Sequence, residues 1–137
     1  MTEIFGRLPV PIPETKHFWD GTRESKLLLQ RCEECQKAYF PPRPHCPRCG
    51  TSRVVVFPAS GRARLYSYTI DHINLRDGSP VAVGVAELEE GVRMMCNLLE
   101  VEQTPEALHL DMPLQVVFQK INDEITLPQF KPAGEVQ

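Results

Sequence analysis

From Gly61 onward the chain alternates apolar and polar residues with a period of two, in segments long enough to be strands. "RARLYSYTIDHI" (62–73), "PVAVGVAEL" (80–88), "VRMMCNLLEV" (92–101), "PLQVVFQKI" (113–121) and "ITLPQF" (125–130) are rich in Val, Ile, Leu, Tyr and Thr, the residues that suit a pleated, half-buried surface. Turn chemistry separates them: "EEG" at 89–91 predicts a tight hairpin, and "NDE" predicts the last turn. Between the third and fourth strands, "TPEALHLDMP" (104–113) predicts a short helix capped by Thr104, with Pro105 at its first position and His109 at its end. Before Gly61 the pattern is different. Residues 14–26 predict one or two helical turns interrupted near Asp20 and Gly21, "LLLQ" (27–30) predicts a short strand, and "VVVF" (54–57) predicts another.

Three strands, a short helix and two strands is the order of an OB-fold, a five-stranded Greek-key barrel. The expected architecture is therefore mainly β: an N-terminal helical segment (1–26), a zinc ribbon (27–57), an OB barrel (58–131) and a flexible tail (132–137).

The ribbon assignment rests on cysteine spacing. Cys32, Cys35, Cys46 and Cys49 form C-x2-C-x10-C-x2-C, two knuckles that each present two thiolates to one point, as a tetrahedral ion requires. Gly50 follows the second knuckle, where a left-handed turn is expected, and the prolines of "YFPPRP" stiffen the connection. A thioredoxin-like pair would open a helix in a βαβ unit, which this pattern does not offer. Structural zinc is the expected ion, with rubredoxin-like iron as the alternative. "CPRCG" resembles the second knuckle of rubredoxin, but "CEECQ" lacks the glycine of the first. Four protein ligands leave no open position, so the ion is expected to be a staple and not a catalyst.

Composition sets the context. In 137 residues, apolar content is 42% and charged content 24%, as in a globular domain, and no apolar run approaches the ~20 residues of a membrane helix. The first residues mix charge, proline and glycine and predict no signal peptide, so a cytoplasmic location is expected. From Gln36 to Ile70 there is no carboxylate, while Lys37, Arg43, Arg48, Arg53, Arg62 and Arg64 give six cations; outside this segment the net charge is −9, against −3 overall. Two uses fit such a segment. One is balancing the formal −2 of four thiolates around Zn2+ and forming a solvated face; the other is meeting phosphates or an acidic partner.

No catalytic constellation emerges. Asp71 and His72 are adjacent on a strand and point to opposite faces, which separates them as partners for Ser67. Cys96 lies in an apolar strand and is expected to be a buried hydrophobe. Phe18 and Trp19, and Tyr39 and Phe40 within "YFPPRPH", are expected either to pack the small appendage or to anchor a partner.

The combination "FWDGTRESKLLLQRCEEC", "CPRCG", "SGRARLYSYTIDH", "VAVGVAELEEGVRMMCNL" and "LPQFKP", from about Glu14 to Lys131, resembles the acyl-CoA-associated OB-fold proteins with a rubredoxin-like zinc ribbon. The resemblance implies a non-catalytic accessory subunit. Such subunits bind thiolase-fold enzymes or lipid-transfer-protein-like aldolases, sometimes acyl-CoA hydratases or a hydroxymethylglutaryl-CoA synthase, and help to shape the acyl-CoA site. It implies a 2:2 heterotetramer with a dimeric enzyme. Candidate contacts to partner or coenzyme A are Phe18, Trp19, Tyr39, Phe40, Arg43, Arg48, Arg62 and Arg64. Nucleic-acid binding, the other habit of OB-folds, is the alternative and ranks second. The second and third barrel strands carry no aromatic side chain on which bases could stack, and the pI is about 5.8.

Overall fold

A computed structural model describes residues 8–73 and 77–134. The element order is α1 (Lys16–Arg23), β1 (Leu28–Cys32), β2 (Ala38–Tyr39), β3 (Val54–Pro58), β4 (Arg62–Asp71), β5 (Val81–Leu88), β6 (Arg93–Asn97), a 3-10 turn (Pro105–Ala107), β7 (Pro113–Lys120) and β8 (Thr126–Pro132). The strands form a three-stranded sheet, β2-β1-β3, and a five-stranded sheet, β6-β5-β4-β7-β8. The chain divides into two compact units. One holds the residues up to Ser60 with Glu90–Val92 and Phe118–Leu127, and the other holds Gly61–Glu89, Arg93–Val117 and the residues from Pro128. Among the described residues no helix is long and apolar enough to cross a membrane.

In the first unit the expected interruption of the helix at Asp20 and Gly21 does not occur. The helix runs unbroken through both residues to Arg23, because Gly21 is where α1 meets β1. A Cβ there would lie 2.8 Å from Leu28 Cδ1, so the missing side chain lets the Leu28 side chain pack directly on the helix backbone. Phe18, Leu27, Leu29 and Tyr39 form the apolar core beside the cysteines. Phe18 packs edge-on against Trp19, with ring centres 4.9 Å apart, and against Phe40 at 5.2 Å. Two-residue β2 went unpredicted, since a bridge of that length carries no periodicity.

In the second unit the barrel strands follow the predicted order. β5 alternates half-exposed Val81, Val83 and Val85 with buried Ala82, Gly84 and Ala86. The small inward residues leave room for Leu65 and Leu98, whose methyl carbons would stand 3.1 Å from any Cβ at position 84. A bulge between Leu65 and Ser67 shifts the β4–β5 register, as curvature in a closing sheet requires. Closure comes from a parallel bridge between Leu98 and Phe130, in which the Leu99 N–H donates to the Phe130 carbonyl at 2.8 Å. The Gln129 side chain accepts the Asn97 N–H at 2.7 Å. This makes a nearly closed five-stranded antiparallel barrel.

The expected helix at 104–113 is only a three-residue 3-10 turn. Pro105 leads it as expected, but Thr104 makes no side-chain cap and the turn ends at Ala107, so His109 lies beyond it. The last hairpin is held by Asn122, whose side-chain oxygen accepts the N–H groups of Glu124 at 2.8 Å and Ile125 at 2.7 Å. The tail assignment falls partly outside the described residues.

Gly61 starts the barrel in a left-handed conformation (φ +83°), and a Cβ there would lie 2.6 Å from Val116 Cγ1. Gly61→Ala should therefore lower unfolding stability by about 1–3 kcal/mol in urea titrations. An unchanged midpoint would contradict the close approach.

Candidate metal centre

The two knuckles are built alike, each from one hydrogen bond and one left-handed residue. The Gln36 N–H donates to the Cys32 carbonyl and the Gly50 N–H to the Cys46 carbonyl, both at 2.9 Å. Gly50 has φ +78° and Gln36 has φ +62°, so Gln36 fills the place where glycine is otherwise preferred. Its side-chain amide holds the turn by donating to the Glu33 carbonyl at 2.6 Å. The rubredoxin-like backbone is thus kept without the rubredoxin glycine.

The knuckles bring the four sulfurs of Cys32, Cys35, Cys46 and Cys49 to within 4.8 Å of one another. Cys32 and Cys49 Sγ are 3.6 Å apart, and Cys35 and Cys46 Sγ are 3.7 Å apart. A tetrahedron with metal–sulfur bonds of ~2.3 Å has edges of roughly 3.8 Å. The donor set therefore fits a tetrahedral ion with little rearrangement, and all-sulfur ligation suits zinc. When bound, the ion saturates its coordination on protein sulfur and supplies structure, with no position left for substrate.

Backbone N–H groups prepare the sulfurs for charge. Glu34 and Cys35 N–H donate to Cys32 Sγ at 3.3 Å, and Arg48 N–H donates to Cys46 Sγ at 3.3 Å. The Cys49 and Arg48 N–H groups pull the Cys46 thiol down to about 6. Burial pushes Cys35 up, aided by the neighbouring sulfurs. For Cys49 the Thr51 N–H acts downward, but the Cys32 sulfur, burial and Cys46 outweigh it and carry the thiol up to about 11. Cys32 and Cys46 are buried, whereas Cys49 is exposed.

The aromatic and basic candidates are distributed unevenly. Phe18 and Tyr39 are buried, and the Tyr39 hydroxyl donates to the Arg43 carbonyl at 2.9 Å. The side-chain oxygen (Oε1) of buried Gln30 accepts the Arg43 N–H at 2.6 Å; this stitch across the "PPRP" loop left no mark in the hydrophobic pattern. Arg62 makes two hydrogen bonds to Glu89, at 2.6 and 3.0 Å. Arg64 bonds Glu87, and also Asp111 at 2.6 Å. Arg93, which drew no notice in the sequence, reaches Glu87 at 2.9 Å and covers the Tyr66 ring at 3.8 Å. Only cross-strand register could have revealed it, since Arg64, Glu87 and Arg93 lie in one row. Among the described residues, Lys37, Arg43 and Arg48 meet no carboxylate at ion-pair distance. Cys96 is buried, with burial raising its thiol to about 12; it packs as a hydrophobe.

Two outcomes follow for the metal. Cys46→Ser should lose stoichiometric zinc and unfold the ribbon, since binding in such sites is worth of order 10 kcal/mol; retained zinc by atomic absorption with an unchanged melting curve would contradict the staple. In the metal-free chain near pH 7 the Cys35 and Cys49 thiols are protonated, and only thiolates bind. Zinc titration in weak buffer should therefore acidify the solution, and affinity should fall as pH is lowered. Binding without proton release would contradict the assignment.

Similarity to known proteins agrees with both halves. Residues 19–55 match the model described as "ChsH2, rubredoxin-like zinc ribbon domain" and residues 57–119 the model "ChsH2, C-terminal OB-fold domain". A probable enoyl-CoA hydratase alpha subunit of Thermomonospora curvata is 33% identical over 119 residues, 85% of this chain but 37% of that protein. The chain thus spans little more than a third of that relative. The benzoylsuccinyl-CoA thiolase subunit BbsA of Thauera aromatica is 29% identical, covering 76% of this chain and 70% of that one. A chain of the solved Ltp2-ChsH2(DUF35) aldolase superposes with a TM-score of 0.79 at 29% identity, covering 91% of this chain and 98% of that one. With a matching zinc ribbon and OB-fold in the same order, the chain belongs to the ChsH2-type DUF35 family.

Proposed function

We propose that this protein is a non-catalytic, zinc-containing accessory subunit of an acyl-CoA enzyme. Its partner is a thiolase-fold enzyme or a lipid-transfer-protein-like aldolase, and the subunit supports that enzyme's assembly, acyl-CoA binding and activity. The observation that carries this reading is the match, over nearly the whole chain, to the DUF35 component of a two-protein aldolase. Relatives named as subunits of a thiolase and of an enoyl-CoA hydratase support it. Carbon–carbon bond chemistry stays with the partner, and a dimeric partner gives a 2:2 heterotetramer.

Within this reading the zinc holds the ribbon in shape for docking. Arg43 and Arg48, which meet no carboxylate among the described residues, are the candidates for coenzyme A phosphates or an acidic partner surface. Arg62 and Arg64 act through their carboxylate partners in shaping the barrel surface. The pairing of Arg62, Arg64 and Arg93 with Glu89, Glu87 and Asp111 also weighs against the nucleic-acid alternative, because a neutralised row attracts no polyanion.

Affinity purification of the tagged chain from its native cells, with mass spectrometry and metal analysis, should recover a thiolase-fold or aldolase enzyme in near-equal amount with one zinc per chain. Recovery of nucleic acid or ribosomal proteins instead would overturn the proposal. In the recovered complex, Arg48→Ala should weaken substrate or partner affinity by about tenfold at low salt and less at high salt, with zinc retained; unchanged affinity would remove Arg48 from the site.

A further inference from the structure

The ribbon sheet ends at β3, and β3 is unusually bare for an edge. Its sequence, Val54-Val55-Val56-Phe57-Pro58, contains no charge, and Val56 is 45% exposed. The hydrogen bonds at its two ends define which groups face outward. Glu33 N–H donates to the Arg53 carbonyl and Ala59 N–H to the Leu27 carbonyl. Bonded residues alternate by two in an antiparallel ladder, so Arg53, Val55, Phe57 and Ala59 face β1. Val54, Val56 and Pro58 therefore face away from it. The Val54 N–H is taken by the Ser52 carbonyl at 2.9 Å, and Pro58 has no N–H. That leaves the Val56 N–H and carbonyl as an outward pair with no backbone partner among the described residues.

Two further observations lie along this edge. At its Pro58 end is a cavity of about 470 Å3 with His17, Asp20, Glu24, Lys26, Leu28 and Pro58 among its walls. His17 Nε2 is buried without a hydrogen-bond partner among the described residues. Within the segment that carries the strand the charges are all positive, although Arg53 meets Glu34 at 4.0 Å and Glu90 accepts the Ser60 N–H at 2.8 Å. Residues 36–60 carry Lys37, Arg43, Arg48 and Arg53 and no carboxylate, and Arg31, in register with Val55, lies over the Phe57 ring at 5.1 Å.

We propose that the outer edge of β3 is a docking edge for an extended, carboxylate-bearing segment of the acyl-CoA enzyme subunit, which adds as a fourth strand beside Val54–Pro58. This rests on the accessory-subunit reading and names its contact surface. The incoming strand pairs its main chain with the Val56 N–H and carbonyl and sets a carboxylate against Arg31, which lies in register with Val55 and over Phe57. Running past Pro58, it places a side chain in the cavity and a donor on His17 Nε2. An apolar edge without charge is the kind that unassociated proteins avoid leaving open.

The position of Val56 allows a selective test with the full-length chain. Proline there removes an N–H that β1 does not use, so Val56→Pro should keep its zinc and melting temperature. Val56→Thr keeps the N–H. The probe is the enzyme that co-purifies with the wild-type chain. Val56→Pro should bind it about tenfold or more weakly, and Val56→Thr within about twofold of wild type. In the wild-type chain the Val56 amide should exchange with deuterium markedly more slowly once the enzyme is bound. Full affinity of Val56→Pro, or unchanged Val56 exchange, with the enzyme still recovered, overturns the docking edge alone. Failure of the wild-type chain to recover any acyl-CoA enzyme overturns the underlying reading and the edge with it. A wild-type dimer that Val56→Pro dissolves, with enzyme affinity unchanged, would assign the edge to self-association and also overturn the proposal.

Discussion

Four thiols converge within 4.8 Å of one another in a segment that can bury few large apolar side chains. Without charge neutralisation such a cluster opposes its own formation, because each thiolate raises the proton affinity of the next. Backbone N–H groups of Cys49 and Arg48 draw the Cys46 thiol down to about 6, while, against the Thr51 N–H, the Cys32 and Cys46 sulfurs and burial push Cys49 up to about 11. A dication supplies that neutralisation, and the sulfur–sulfur separations already suit one. The segments that carry the "PPRP" loop and the β3 edge are joined at this centre, Cys32 ending β1 and Cys46 and Cys49 leading into β3. Phe18, Leu29 and Tyr39 alone make a core too small for a stable domain.

The barrel is held by different means. Its interior is apolar and fitted around small residues on β5, and it closes through one parallel bridge and the Gln129 side chain. On its surface, positive charges are matched by carboxylates in register across β4, β5 and β6. Arg93 first, with Arg64, holds the Glu87 carboxyl below the usual carboxylate range. The two units thus present different surfaces: a neutralised face on the barrel, and a ribbon whose Lys37, Arg43 and Arg48 meet no carboxylate at ion-pair distance among the described residues. That contrast connects the fold to the proposed role, since unmatched charge beside an open strand edge is a surface that a partner completes.

Much of this was legible from the residues. The C-x2-C-x10-C-x2-C spacing and the two-residue period after Gly61 anticipate the ribbon and all five barrel strands to within a few residues at their ends. The misreadings have local physical causes. Gly21 looks like a helix breaker until Leu28 is seen against it; the advantage of close packing exceeds the weak propensity of glycine. Thr104 and Pro105 are good helix openers, but only a single 3-10 turn follows them. Gln36 replaces the expected glycine by bonding its own turn. What pattern alone could not reveal is cross-strand: the Arg64–Glu87–Arg93 row, the Gln30 stitch to Arg43 and the outward Val56 amide all require register between segments distant in sequence.

The account's central claim, that a zinc-shaped ribbon makes this protein a working part of another enzyme, is tested most directly by reconstitution. The purified acyl-CoA enzyme would be assayed alone, with the zinc-loaded chain and with the chain stripped of metal by a chelator. The account predicts that turnover rises with the zinc-loaded chain and saturates at one chain per enzyme subunit, while the stripped chain has no effect. Equal stimulation by the stripped chain, or acyl-CoA turnover by this chain alone, would contradict it.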